Sequence, residues 1–350
     1  MSSAQTITKG DLVLVTGASG FIASHAVKEF LQQGFRVRGT VRSEEKGQYL
    51  TKLFEGLGEF TYVIVKDVNQ DGAFDEAVKG VNAVAHLASP FYVFNIKDPQ
   101  ELIGPAVKGT TGVLESLQKY NPDVKRVVIT SSVASILSMD SVKSPTRDYT
   151  EKDWNVDSAA HVEKNGLQSS GFHSYLASKT LAEQALWKFI EEKKPSWDAV
   201  AINPPFVLGE IIHQCDKPES LNTSVAAFYE WAFGKKTEDD LPAPMGNWVD
   251  VKDVALAHVR ALTVPEAGGN RFIVGAGALA AQDFVDGIHK NFPDVKNVPV
   301  GTPGKHDEIC KVLDIFDGSK AEKVLGIKYT TLNDTIIQMF ESLRKRFSTI

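Results

Sequence analysis

Hydrophobic and polar positions along this chain follow two rhythms. Leu12 to Thr16 is a continuous apolar, β-branched run, the pattern of a strand buried on both faces. Gly17 to Gly20 interrupts it. Apolar residues then recur at Phe21, Ile22, Ala26, Val27, Phe30 and Leu31, a helical stripe that runs to Gln33 and is ended by Gly34. Phe35 to Val41 predicts a second strand and Tyr49 to Leu57 the body of a second helix. Further strands are predicted at Tyr62 to Val65, Ala83 to Ala88, Arg126 to Thr130 and Ala199 to Ile202. Helices are predicted at Phe74 to Lys79, Gln100 to Tyr120 and Tyr175 to Glu192. Short buried strands alternating with helices make βαβ units, so the expected fold class is α/β, a doubly wound parallel sheet.

After Pro204 the rhythm changes. Gly209 to Pro244 carries prolines and acidic residues around one helical stretch, Ser224 to Phe233. Trp248 to Leu262 and Asn270 to Val274 read as a return to the sheet, and Gln282 to Phe292 and Thr331 to Arg346 as helices. A chain of 350 residues is large for one core. The expected division is a dinucleotide-binding Rossmann domain from 1–208 and 247–275, with a smaller, discontinuous substrate lobe from 209–246 and 276–350.

Charge removes several function classes. Acidic residues outnumber basic ones 44 to 38, for a net charge of −6. The basic surplus that holds nucleic acid or anionic membrane is missing. No run of 18 apolar residues occurs, so no membrane span is expected. Met1 to Lys9 is polar and shows no presequence, and Cys215 and Cys310 are too few for a disulfide framework. Both points favour reduced thiols in a cytoplasmic protein. Neither a Gly-x-Ser-x-Gly elbow nor a His-Glu-x-x-His pair is present, so neither that hydrolase class nor a metal site is expected.

Four places carry candidate chemistry. Gly17-Ala18-Ser19-Gly20-Phe21-Ile22 lies between the first strand and first helix, where glycines let backbone approach a pyrophosphate and the helix N-terminus offers N–H groups. The second strand ends in Val41-Arg42 with no acid, which favours the 2′-phosphate of NADPH over the 2′-hydroxyl of NADH, with Lys46 four residues on. Tyr175-x-x-x-Lys179 places both side chains on one helix face, where an ammonium lowers the phenol pKa for proton transfer. A second match, Tyr62 and Lys66, falls in a predicted strand that separates the two by roughly 13 Å. Thr130-Ser131-Ser132 follows the fifth strand, where a hydroxyl can orient a carbonyl. His86 reads as a packed strand histidine.

These features, in this order and with Asn203-Pro204-Pro205-Phe206-Val207-Leu208-Gly209, resemble the extended short-chain dehydrogenases/reductases. The likeness covers nearly the whole chain. It is greatest to the branch of dihydroflavonol 4-reductases and fungal NADPH-dependent aldehyde, ketone and methylglyoxal reductases, whose marks are Tyr149-Thr150-Glu151 with Trp154, and Ser178-Lys179-Thr180-Leu181-Ala182-Glu183. The resemblance implies Ser132, Tyr175 and Lys179 as catalytic residues. It further implies Gly17, Ala18, Ser19, Gly20, Phe21 and Ile22 at the pyrophosphate, and Arg42 and Lys46 at the 2′-phosphate. Asp67 and Val68 would border adenine; Leu87, Ala88 and Ser89 would line the ribose path. Pro204 and Val207 would receive the carboxamide, Tyr175 and Lys179 would also touch the cofactor, and Ser220 would lie on its phosphate side. Two departures stand out: Ala23 replaces a third glycine, and the helix asparagine of the classical proton relay has no counterpart near Ala106.

The reading is therefore an NADPH-dependent carbonyl reductase acting on a small-molecule aldehyde or ketone. A nucleotide-sugar epimerase or dehydratase and a non-catalytic NADP-binding sensor stay open as alternatives, and so does the choice between monomer and homodimer. Phe91, Tyr92, Phe94, Phe206 and Trp231 would give the substrate an aromatic-lined pocket.

Overall fold

The computed structural model describes residues 6–89, 96–139 and 146–347. Its first half alternates strand and helix: β1 (Leu12–Thr16), α1 (Phe21–Gln32), β2 (Arg36–Val41), α2 (Glu44–Leu53), β3 (Phe60–Ile64), β4 (Ala83–His86), α3 (Gln100–Tyr120) and β5 (Arg126–Thr130). A two-residue strand β6 (Asp148–Tyr149) and helix α4 (Asp157–Asn165) precede the long helix α5 (Gly171–Lys193) and strand β7 (Asp198–Asn203). Then come β8 (Phe206–Leu208), α6 (Thr223–Ala232), β9 (Pro244–Asp250), α7 (Val251–Thr263) and β10 (Arg271–Ile273). The chain ends with β11 (Gly277–Ala280), α8 (Ala281–Asn291), α9 (His306–Cys310), β12 (Ile315–Phe316) and α10 (Leu332–Arg346).

Seven strands make the main sheet in the order β3-β2-β1-β4-β5-β7-β10, every neighbouring pair parallel. The period-2 geometry of a strand explains why the runs are apolar throughout. Val13 and Val15 of β1 point into one core, with Phe30 of α1 and Val259 of α7. Leu12 and Leu14 point into the other, with Leu114 of α3 and Leu186 of α5. The first core continues into a smaller sheet, β8-β9-β11, and onto α6, α8 and α10 through Trp231, Trp248, Phe284 and Phe340.

Three expectations need correction. Phe74 to Lys79 is a series of turns, not a helix: Gly72 and Gly80 flank it with φ near +70°, and six residues are too few to sustain helix nucleation. The second helix begins at Glu44, earlier than its apolar pattern starts. Ser43 is its N-cap, its Oγ accepting from the Lys46 N–H at 3.4 Å, and the helix stops before Phe54. Trp248 to Leu262 is only in part a return to sheet. Its first residues belong to β9 in the small sheet, and α7 follows, capped by Asp250, whose carboxylate accepts from Lys252 N–H at 2.7 Å.

Arg126, at the start of β5, is fully buried beneath this framework. It donates to Asp198 from Nε (2.5 Å) and Nη2 (2.8 Å) and to the carbonyls of Ala261 and Val264 (2.9 and 2.6 Å), joining β5, β7 and the end of α7. Asp198→Ala strands that guanidinium without its charge partner. Urea unfolding is expected to show a loss of about 1.5–3 kcal/mol.

Candidate active site

Strand order reverses between β1 and β4, and the carboxyl ends of the strands there open a cleft. A cavity of about 340 Å³ occupies it. Its floor is the β1–α1 turn, its walls are the ends of β4, β5 and β7, and α5 and the start of α6 cover the remainder.

The turn is shaped by Gly17, whose φ of +65° a side chain would strain, and whose Cα faces the backbone of Ala88. Gly17 N–H donates to Thr40 Oγ1 and Ala18 N–H to Thr40 O, both at 2.9 Å, so β2 holds the turn. Gly39 allows that approach: a Cβ there would come within 2.7 Å of the Ala18 Cβ. Thr16 Oγ1 accepts from Leu87 and Ala88 N–H at 3.1 and 3.0 Å, fixing the end of β4 beside the turn. No side chain caps α1. The turn and helix start are thus suited to an anion.

At the end of β2, Arg42 is exposed and makes no side-chain hydrogen bond or ion pair among the described residues. The two nearby acids are engaged elsewhere. Glu44 accepts from Tyr62 Oη at 2.5 Å, and Glu45 from Gln214 Nε2 at 2.7 Å. The contact to Glu44 also accounts for Tyr62, which lies on β3 away from the cavity; its Tyr-x-x-x-Lys match is a coincidence of spacing. Arg42, Lys46, Asp67 and Val68 lie outside the cavity wall, as do Ala18, Ser19, Ala88 and Ser220.

Ser132, Tyr175 and Lys179 line one wall together with Pro204, Phe206 and Val207. The Ser132 hydroxyl lies close enough to act on the Tyr175 phenol, and it donates to the Pro204 carbonyl at 3.4 Å. Burial pushes the Tyr175 phenol above its ordinary 10, and the Ser132 contact works the other way. Burial likewise pulls Lys179 down to about 8, opposed by the Glu183 carboxylate. Burial, rather than the lysine, is thus the main influence on Tyr175 in this state, which departs from the expected order of effects. His86 is a buried strand histidine, as its pattern implies, held near 4 by burial and then by the Lys179 charge, with Nδ1 3.0 Å from Thr16 Oγ1.

The family model described as "NAD dependent epimerase/dehydratase family" matches residues 13–275. The chain belongs to that family. Among its relatives is a ketoreductase of Aspergillus niger, 37% identical, with 94% of this chain and 97% of the relative covered. The NADPH-dependent methylglyoxal reductase of Saccharomyces cerevisiae is 36% identical over 93% of this chain and 95% of its own. The crystal structure of yeast methylglyoxal/isovaleraldehyde reductase complexed with NADPH superposes with a TM-score of 0.88 at 34% identity, covering 97% of this chain and 100% of that one. The resemblance to extended short-chain dehydrogenases/reductases and their fungal reductase branch holds.

For this member of the epimerase/dehydratase family, residue-level reading missed part of the cavity. Asn222, Thr223 and Ser224, which no motif marks, line it, as do Ala23, Thr130, Ser131 and Pro205 from the motifs noted above. Asn222 precedes α6, and an Asn-Thr-Ser string before a helical stripe is a signal for that helix start. Trp231 faces inward to the core and does not line the cavity, because α6 turns that face toward α8 and α10. Phe91, Tyr92 and Phe94 lie outside the described residues.

Gly17→Ala should separate backbone strain from simple bulk. Its positive φ implies a stability loss of about 1–2 kcal/mol in urea unfolding. Gly20→Ala, at an ordinary extended φ of −80°, should lose clearly less.

Proposed function

We propose that this chain is an NADPH-dependent carbonyl reductase, converting an aldehyde or ketone to an alcohol. The observation that carries the proposal is the convergence of Tyr175, Lys179 and Ser132 on the cavity floored by the glycine turn. The reductase names of the relatives support it. Bound NADPH supplies hydride. In this reading Ser132 orients the carbonyl and shares its developing negative charge, Tyr175 Oη donates the proton to oxygen, and the Lys179 ammonium stabilises the phenolate left behind.

Cofactor-holding roles follow the same layout. Gly17 to Ile22 would receive the pyrophosphate, Asp67 and Val68 the adenine, Leu87 to Ser89 the ribose, and Pro204 and Val207 the carboxamide, with Ser220 toward the phosphates. Arg42, without a side-chain partner among the described residues at the end of β2, and Lys46 would hold the 2′-phosphate. That arrangement favours NADPH despite the NAD of the family's description. Residues 209–246 and 276–350 would supply the substrate lobe. No helix among the described residues is long and apolar enough to cross a membrane, and both cysteines are free thiols. A cytoplasmic enzyme fits these features.

Arg42→Ala should raise KM for NADPH tenfold to more than a hundredfold, the value of about 1.5–3 kcal/mol of charge-assisted contact, and leave NADH use nearly unchanged. Equal use of both cofactors by the unmodified enzyme would contradict the assignment.

Tyr175→Phe keeps the ring and removes the acidic proton. In an NADPH-absorbance assay with a panel of aldehydes and ketones, kcat should fall by roughly 10²–10⁴ with NADPH binding retained. Normal turnover would show that Tyr175 is not the acid. A chain that binds NADPH but reduces none of the panel, even unmodified, would favour a sensor.

A further inference from the structure

Glu151, Trp154, Glu183 and Asn203 belong to the motifs marked in the sequence, yet none of them lines the cavity. They gather instead around one buried carboxylate. Glu183 is fully buried, one helical turn beyond Lys179 on α5. Its Oε2 accepts from Ser131 Oγ (2.6 Å) and Asn203 Nδ2 (2.8 Å) and lies 2.6 Å from Ser135 Oγ. Its Oε1 accepts from Arg271 Nε at 2.5 Å and Trp187 Nε1 at 3.3 Å.

Arg271 is held as firmly. Its Nη1 donates to the carbonyls of Glu151 and Asp153 at 2.9 and 2.6 Å, and its Nη2 to Ser135 Oγ at 3.1 Å. Its guanidinium lies 3.7 Å over the Trp154 ring. The Glu151 carboxylate accepts from Ile273 N–H at 3.0 Å, tying the 151–154 segment to β10.

An ion pair at this depth is costly, and apolar side chains could fill the same space at little or no loss of stability. What the carboxylate offers that they cannot is a fixed, charged anchor reached from β5, α5, β7 and β10 at once. The residue after Ser131 is Ser132, whose carbonyl also receives Asn203 Nδ2 at 3.2 Å. Position and charge therefore reach the site from the same group.

We infer that Glu183, clamped by Arg271, is a positioning residue for the reduction: it fixes Ser132 against Tyr175 and holds the charged form of Lys179. This rests on the carbonyl-reductase reading. Glu183 raises the Lys179 pKa against the larger effect of burial. Among the described residues, the other titratable or charged groups around Lys179 are His86 on β4, which is uncharged at neutral pH; Tyr175 on the same helix; and Arg271 on β10, whose charge faces Glu183. Removing the Glu183 charge lowers the Lys179 pKa further. The ammonium is then lost at lower pH, and the alkaline limb of kcat moves toward acid.

The test compares kcat against pH, NADPH affinity by fluorescence titration and thermal unfolding for Glu183→Gln, Glu183→Asp and Ser131→Ala. Glu183→Gln should lower kcat by roughly ten- to hundredfold, with NADPH affinity within about threefold of the parent. Its alkaline limb should shift acidward by about half a pH unit or more. Glu183→Asp, with the charge kept and the reach shortened, should return the limb toward the parent value while kcat stays low. Ser131→Ala should lower kcat without moving the limb, and it decides the positioning claim should Glu183→Gln fail to fold. The inference is overturned if folded Glu183→Gln keeps the parent kcat and limb, if its losses track only the folded fraction or NADPH binding, or if Ser131→Ala has normal kcat. Tyr175→Phe, run alongside, separates the two levels. Normal turnover there removes the catalytic reading itself, whereas an inactive Tyr175→Phe beside a normal Glu183→Gln removes only the role of Glu183.

Discussion

A parallel sheet covered on both faces leaves its strand ends as the place where polar side chains and backbone can meet a ligand, and the reversal of strand order between β1 and β4 opens that edge into a cleft. Everything chemical in this protein depends on that reversal. It puts the glycine turn after β1 next to the end of β4, where the Thr16 hydroxyl is bonded to His86, Leu87 and Ala88. It also leaves β5 and β7 to bring Ser132 and Pro204 to the opposite wall.

The cleft is built from unequal materials. On the side of the glycine turn small residues dominate, and Gly17 and Gly39 permit close approach of backbone. On the opposite wall the lining is side chain: Ser132, Tyr175 and Lys179 face the cavity. Beneath them lies the carboxylate of Glu183, which accepts from Ser131 after β5, Asn203 of β7, Arg271 of β10 and Trp187 of its own helix. Burial around Tyr175 and Lys179 disfavours their charged forms, and for Lys179 the Glu183 carboxylate works against that effect. The same burial makes every remaining electrostatic contact there stronger than it would be in water.

Much of the fold was legible because both periodicities are strong. Strand and helix patterns from Leu12 through Thr130 correspond to β1–β5 and to α1 and α3. The exceptions are Phe74 to Lys79, where two glycines outcompete a short apolar pattern, and the start of α2, where a serine cap outweighs the position of the apolar residues. Trp248 to Leu262 was harder, since strand β9 passes straight into α7 with only Asp250 as punctuation. Trp231 shows the same limit for a site. An aromatic residue on a helix can face core or ligand, and nothing in its spacing says which.

By itself the sequence determined the parallel architecture, the glycine turn, the arginine without an acid at the end of β2 and the Tyr-x-x-x-Lys couple, because each rests on local geometry or on residue type at a fixed spacing. It could also set Tyr62 apart, because a strand residue shares no helix face with a lysine four positions on, although β3 itself ends at Ile64 before Lys66. Only the tertiary structure decided that Glu44 and Glu45 are turned away from Arg42, that Asn222, Thr223 and Ser224 close the cavity, and that Glu183 and Arg271 meet beneath it. The reason is distance along the chain. Glu183 and Arg271 are 88 residues apart, and Ser131 and Glu183 are 52. No periodicity records such a pairing; it exists only once β5, α5, β7 and β10 have packed and left one buried carboxylate for their donors to share.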